Sequence, residues 1–70
     1  MKNLYLNKMA VLQYMCDNEM SIGELAELCS ISKRTLERYL ERNTSICLTS
    51  LFKLANGMNV SIEEIAFIKN

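Results

Sequence analysis

The segment Leu25-Ala26-Glu27-Leu28-Cys29-Ser30-Ile31-Ser32-Lys33-Arg34-Thr35-Leu36-Glu37-Arg38-Tyr39 decides how the rest of this chain is read. Just before it, Ser21 followed by Glu24 forms a capping box, which opens a helix carrying Leu25, Ala26, Leu28 and Cys29. Ser30-Ile31 makes a turn, and Ser32 is an N-cap for a second helix from Lys33 to about Glu41. Ala26 is small where the second helix must cross the first. Ile31, Leu36 and Tyr39 supply the apolar contacts of the turn and of the second helix's inner face. The spacing predicts two short helices at a tight corner.

Working outward, the chain has no proline, two glycines (Gly23 and Gly57) and no repeat. Ser, Thr and Asn do the punctuation, as helix caps do. A first helix is expected from Asn3 to Asn18, with apolar residues on two stripes, Leu4–Val11–Tyr14 and Tyr5–Met9–Leu12–Cys16. Asn43-Thr44-Ser45 reads as a loop. A fourth helix is expected from Cys47 to Met58 with Leu48, Leu51, Leu54, Ala55 and Met58 inward and Asn59 as a left-handed C′ residue. Ser61 and Glu64 form a second capping box before a last short helix holding Ile62, Ile65, Ala66 and Ile68. The expected fold is all-α, a compact bundle of about five short helices, with residues 1–70 as one domain.

Composition narrows the function. Half of the 70 residues are apolar and 23% are charged, a globular balance. Eight Lys+Arg offset eight Asp+Glu, which argues against a binder that works by bulk positive charge. There is no His, the commonest general base and zinc nitrogen ligand, and no Gly-rich phosphate loop, so neither an enzyme nor a cofactor or metal is expected. Cys16, Cys29 and Cys47 show no C-x-x-C spacing and read as small apolar residues. No apolar run approaches the roughly 18 residues of a membrane span, and no leader segment is evident, so a cytoplasmic protein is expected.

The charge that exists is concentrated. Four of the eight basic residues, Lys33, Arg34, Arg38 and Arg42, fall within ten positions. At about 100° per residue, Leu36, Tyr39 and Leu40 take one side of the third helix, while Lys33, Arg34, Glu37, Arg38 and Glu41 share an arc of about 140° on the other. Two readings fit that pattern. One is a solvated face with i,i+4 pairs such as Lys33–Glu37. The other is a helix laid in a DNA groove, with Lys and Arg reaching guanine O6/N7 and Glu37 accepting from cytosine N4.

Taken with its second half, Cys47-Leu48-Thr49-Ser50-Leu51-Phe52-Lys53-Leu54-Ala55 followed by Asn59-Val60-Ser61-Ile62-Glu63-Glu64-Ile65, the chain resembles the Cro/repressor-type, or lambda-repressor-like, helix-turn-helix family over about residues 9 to 66. The resemblance implies a helix-turn-helix proper over about 22–41 and double-stranded DNA as partner. It puts Lys33, Arg34 and Arg38 at base-reading positions, with Glu37 on the same face. It puts Ser32, Thr35, Asn43 and Thr44 at places that meet phosphates, with Arg42 beside them. Three positions depart from the family's pattern: Ser30 replaces a turn Gly, Ile22 replaces a phosphate-gripping Gln, and Met15 replaces a basic residue. These changes imply weaker electrostatic anchoring.

Leu6, Met9 or Leu12, Leu28, Phe52, Phe67 and Ile68 exceed what one small core holds, so a homodimer is expected, through the last helix and its tail at Ile65, Phe67 and Ile68 or through the first helix. The leading function is a sequence-specific DNA-binding transcriptional regulator acting as a repressor. The alternative is a helix-turn-helix module for protein contact, antirepressor or antitoxin-like, with weak or no DNA binding.

Overall fold

A computed structural model of the chain describes residues 3–42 and 44–69. The order is β1 (Asn3–Leu6), α1 (Lys8–Asp17), α2 (Ile22–Leu28), α3 (Lys33–Glu41), α4 (Leu48–Met58), α5 (Ile62–Ile65) and β2 (Ala66–Lys69). Among the described residues five helices carry the fold, with a small two-stranded sheet added.

The sheet corrects two expectations. The helix expected over residues 3–18 begins only at Lys8, because Asn7 Oδ1 accepts from the Ala10 N–H at 3.3 Å and caps it there. Before that cap, Asn3–Leu6 is extended and pairs antiparallel with Ala66–Lys69, Tyr5 opposite Phe67 and Leu6 opposite Ala66. The last helix accordingly stops at Ile65, and Ala66 and Ile68 belong to a strand. Period two replaces period 3.6 at both places: Leu4 and Leu6 turn toward the core and Tyr5 away from it.

The core is one cluster in which Val11, Leu25, Leu36, Leu51, Leu54 and Ile65 are fully buried. Each such side chain contributes about 1.5–3 kcal/mol relative to exposure. Leu6, expected among the surplus apolar residues, lies in this core. Leu48, expected inward, is 50% exposed, since the inward stripe of α4 starts one turn later at Leu51. Met9, Leu12, Leu28, Phe52, Phe67 and Ile68 remain exposed as expected.

Both predicted capping boxes form, Ser21 with Glu24 and Ser61 with Glu64. The Ser21 N–H and hydroxyl hold the Glu24 carboxyl below the usual carboxylate range. Three helices end alike. Glu19, Ser30 and Asn59 take positive φ (52°, 58° and 57°), and the following N–H reaches back to the carbonyl five residues earlier: Met20 to Met15, Ile31 to Ala26, Val60 to Ala55. This is the Schellman closure, made here without glycine. Among the described residues, no helix is long and apolar enough to cross a membrane.

Candidate nucleic-acid interface

The corner between α2 and α3 is built from its caps. α2 closes at Cys29 with Ser30 left-handed, so a residue with a β-carbon takes the conformation a glycine would take freely. Ser32 then opens α3: its Oγ accepts from the Thr35 N–H at 3.1 Å and donates to Thr35 Oγ1 at 2.6 Å. With its acceptor role met, the Thr35 hydroxyl keeps a proton to donate outward. The expected phosphate residues Ser32 and Thr35 thus form one cap, with Ser32 exposed and Thr35 half-buried.

Along α3, Leu36 and Tyr39 are buried and Leu40 is half-buried, and these hold the helix against the core. Lys33, Arg34 and Arg38 are exposed on the other side, as is Arg42 just past the helix. The Arg38 guanidinium lies 5.4 Å from the centroid of the Tyr39 ring, a contact that steadies the side chain while leaving its donors outward. Glu37, expected beside them, is half-buried. Thr44 is exposed in the following loop; Asn43 lies outside the described residues. Ile65, expected at a dimer surface, is 1% exposed and is a core residue, because α5 packs against α1 and α4.

Two features escaped the sequence reading. A β-carbon on Gly23 would sit 3.8 Å from Lys33 Cδ, so the lysine stem crosses the start of α2 over a residue with no side chain. The Tyr39 hydroxyl reaches Ser50 Oγ at 3.5 Å and Cys47 Sγ at 4.0 Å, tying α3 to the first turn of α4 beside the loop. Cys47 also donates to Ser50 Oγ at 3.3 Å. The Ser50 hydroxyl, with the backbone there, lowers the Cys47 thiol to about 7. The C-x-x-S spacing at a helix start was the available signal, since residues three apart meet across an N-terminal turn.

The arrangement offers a convex helix with three outward cations, hydroxyls at its first turn and a further cation at its exit. A family model described as helix-turn-helix matches residues 11–65. Among solved structures, the crystal structure of the transcriptional regulator VanUg, form II, matches at a TM-score of 0.70 and 26% identity over 97% of this chain and 87% of that chain. No curated protein matches the chain.

Proposed function

The chain belongs to the Cro/C1-type helix-turn-helix family, and from that premise we propose that it is a sequence-specific double-stranded DNA-binding transcriptional regulator, a repressor that works as a homodimer of single domains spanning residues 1–70. The family and the similarity to a transcriptional regulator support a DNA-binding regulator. The observation that carries the proposal is α3 itself: buried on Leu36 and Tyr39, it turns Lys33, Arg34 and Arg38 outward. In the major groove these three side chains read base edges, Arg in bidentate fashion at guanine. Glu37 has a smaller reach and serves as an acceptor for cytosine N4 if the helix seats deeply. Ser32, Thr35, Arg42, Asn43 and Thr44 hold phosphates and fix the register. Repression then needs only occupancy of a promoter. Such a regulator acts in the cytoplasm.

Formal net charge zero limits affinity per copy, so two copies on two half-sites supply the rest. Selection of bound DNA from a random pool by the full chain tests the reading. A repeated half-site is expected, its centres about one helical turn or a multiple apart. A pool that enriches nothing overturns the reading.

A second reading has its own observation. Met20, just before α2, and Glu24, Glu27 and Leu28 on it line one shallow concavity, acidic and apolar together, which fits a protein better than a phosphate backbone. A module used for protein contact, antirepressor or antitoxin-like, predicts an empty DNA selection.

A further inference from the structure

Asn-Gly occurs once in the sequence, at Asn56-Gly57. The pair carries a reaction of its own. The Gly57 nitrogen can close on the side-chain carbonyl carbon of Asn56, because glycine sets no β-carbon in the way of the five-membered ring and leaves the backbone free to adopt it. Asn56 is exposed, so its side-chain amide meets water, the other reactant the chemistry needs.

The fold places the pair in the last turn of α4, where two features act on it in opposite senses. The helix restrains the reaction. Its geometry engages the Gly57 N–H with the carbonyl four residues earlier, at Lys53, and a ψ of about −42° turns the nitrogen away from the side-chain carbonyl. Packing, however, keeps the glycine in the chain. A β-carbon at 57 would come within 2.8 Å of the Cys29 Cα, so the close docking of α4 on the end of α2 retains the reactive pair. The Asn56 carbonyl accepts from the Asn59 N–H at 3.2 Å, and Asn59 turns left-handed to end the helix. Release of the pair therefore needs only the terminal turn to open, well short of global unfolding.

We propose that Asn56-Gly57 is a site of spontaneous deamidation, gated by opening of the last turn of α4, and that its isoaspartyl product undocks α4 from the end of α2. In the open turn the Gly57 nitrogen gives its proton to solvent base, and its electron pair forms a bond to Asn56 Cγ. The Cγ–Nδ2 bond breaks, and the side-chain nitrogen takes up a proton and leaves as ammonia. The cyclic imide then takes up one water. Attack at the side-chain carbonyl gives aspartate at 56. Attack at the main-chain carbonyl gives isoaspartate, in which the chain runs through Cβ and Cγ. No atom changes oxidation state, and water is the co-reactant.

The two products act differently on the fold. Aspartate adds a negative charge near a helix C-terminus, at an exposed position where the cost is small. Isoaspartate adds a carbon to the main chain. That pushes Gly57 against Cys29, where not even a β-carbon has room, and converts the carbonyl that accepted from Asn59 into a free carboxylate. The α2–α3 corner rests on this docking, so the aged chain loses the support of its outward basic helix. The inference goes beyond the DNA reading and does not depend on it.

Ageing of the full chain at neutral pH, native and in urea, tests this. Peptide mass spectrometry reads the exchange of NH2 for OH at 56. An isoaspartyl methyltransferase with S-adenosylmethionine labels the isoaspartyl carboxylate. Modification at 56 is expected to run at least about tenfold faster in urea, a gap that corresponds to an opening free energy of about 1.4 kcal/mol. Met58→Ala removes a buried anchor of the same turn and should raise the native rate. The aged chain should melt below both the fresh chain and Asn56→Asp, which carries the charge without the added carbon. Asn56→Gln, whose longer side chain would have to close a six-membered ring, should keep its melting temperature through the same ageing. Native modification as fast as in urea removes the gate and overturns the proposal. So does a chain without isoaspartate at 56 in urea, or an aged chain that melts with Asn56→Asp.

Discussion

Gly57 lies directly against Cys29: a β-carbon built on the glycine would collide with the cysteine Sγ and come within 2.8 Å of its Cα. Cys29 ends α2, and its thiol donates to the Leu54 carbonyl at 3.8 Å, so α4 meets the end of α2 backbone to backbone. The absent side chain at 57 sets how closely the first helix of the corner docks on the core.

Gly57→Ala is therefore expected to destabilise the domain although it improves helix propensity. Overpacking costs about 1–3 kcal/mol, and propensity returns about 1, for a net loss of up to about 2 kcal/mol. Gly23→Ala meets nothing nearer than 3.8 Å and should gain up to about 1 kcal/mol. Urea midpoints that move in opposite directions for the two variants check the assignment; equal gains would remove the role given to Gly57.

Ser30→Gly should stabilise. The left-handed conformation costs a residue with a β-carbon about 1–2 kcal/mol, and glycine's freedom in the unfolded chain takes back about 0.4–1, leaving about 0.8 kcal/mol at the middle of those ranges. For a domain of this size that is a rise in Tm of about 2–8 °C, read by thermal unfolding. Glu19→Gly should behave alike, and Asn59→Gly should gain less, since Asn tolerates this region.

Legibility followed interaction range. The α2–α3 corner was readable because its signals are local: Ser32 caps three residues ahead, Glu24 reaches three back, and Leu36 and Tyr39 share a face by helical period. Asn59 as a left-handed stop was readable for the same reason. The sheet was not. Leu4-Tyr5-Leu6 is too short for periods 2 and 3.6 to separate, and its partners Phe67 and Ile68 lie at the far end of the chain. Ile65 followed suit: misread as the start of an exposed tail, it is the last core residue before the strand turns outward. On α3, exposure of the basic side chains was legible from periodicity, whereas Gly23 beneath Lys33 needed the tertiary crossing.

Arg34→Ala should relax preference at one base pair of the selected site, a loss of about 1–3 kcal/mol there, while nonspecific binding persists. A uniform loss across sequences would make Arg34 a phosphate contact. With few cations at the interface, log affinity should fall with log salt at a slope of about −4 to −6 per dimer. A slope near −10, roughly that of a ten-phosphate footprint, would mean contacts beyond these residues.

Cys47 should be the fast thiol. With its pKa lowered to about 7 by Ser50, alkylation in a Cys16→Ser variant should rise steeply through neutral pH and level off above it. Ser50→Ala should shift that profile toward higher pH. Cys29, whose pKa is pushed up by burial, should label only on unfolding. Peptide mass spectrometry across pH reads all three; a Cys47 profile unmoved by Ser50→Ala would remove the hydroxyl as the cause.

The pairing of Asn3 with Lys69 has a consequence for how the molecule comes into being. A ribosome delivers residues 3–6 early and residues 66–69 late, so β1 waits without its partner strand while almost everything between is made. The α2–α3 pair needs only its own neighbourhood and is free to form first, ahead of the long loop closure the sheet demands. Assembly should therefore run from the corner outward, with the sheet closing last. Pulse-labelled hydrogen exchange during refolding should find the amides of α2 and α3 protected before that of Tyr5; protection in the opposite order would reverse the sequence of events.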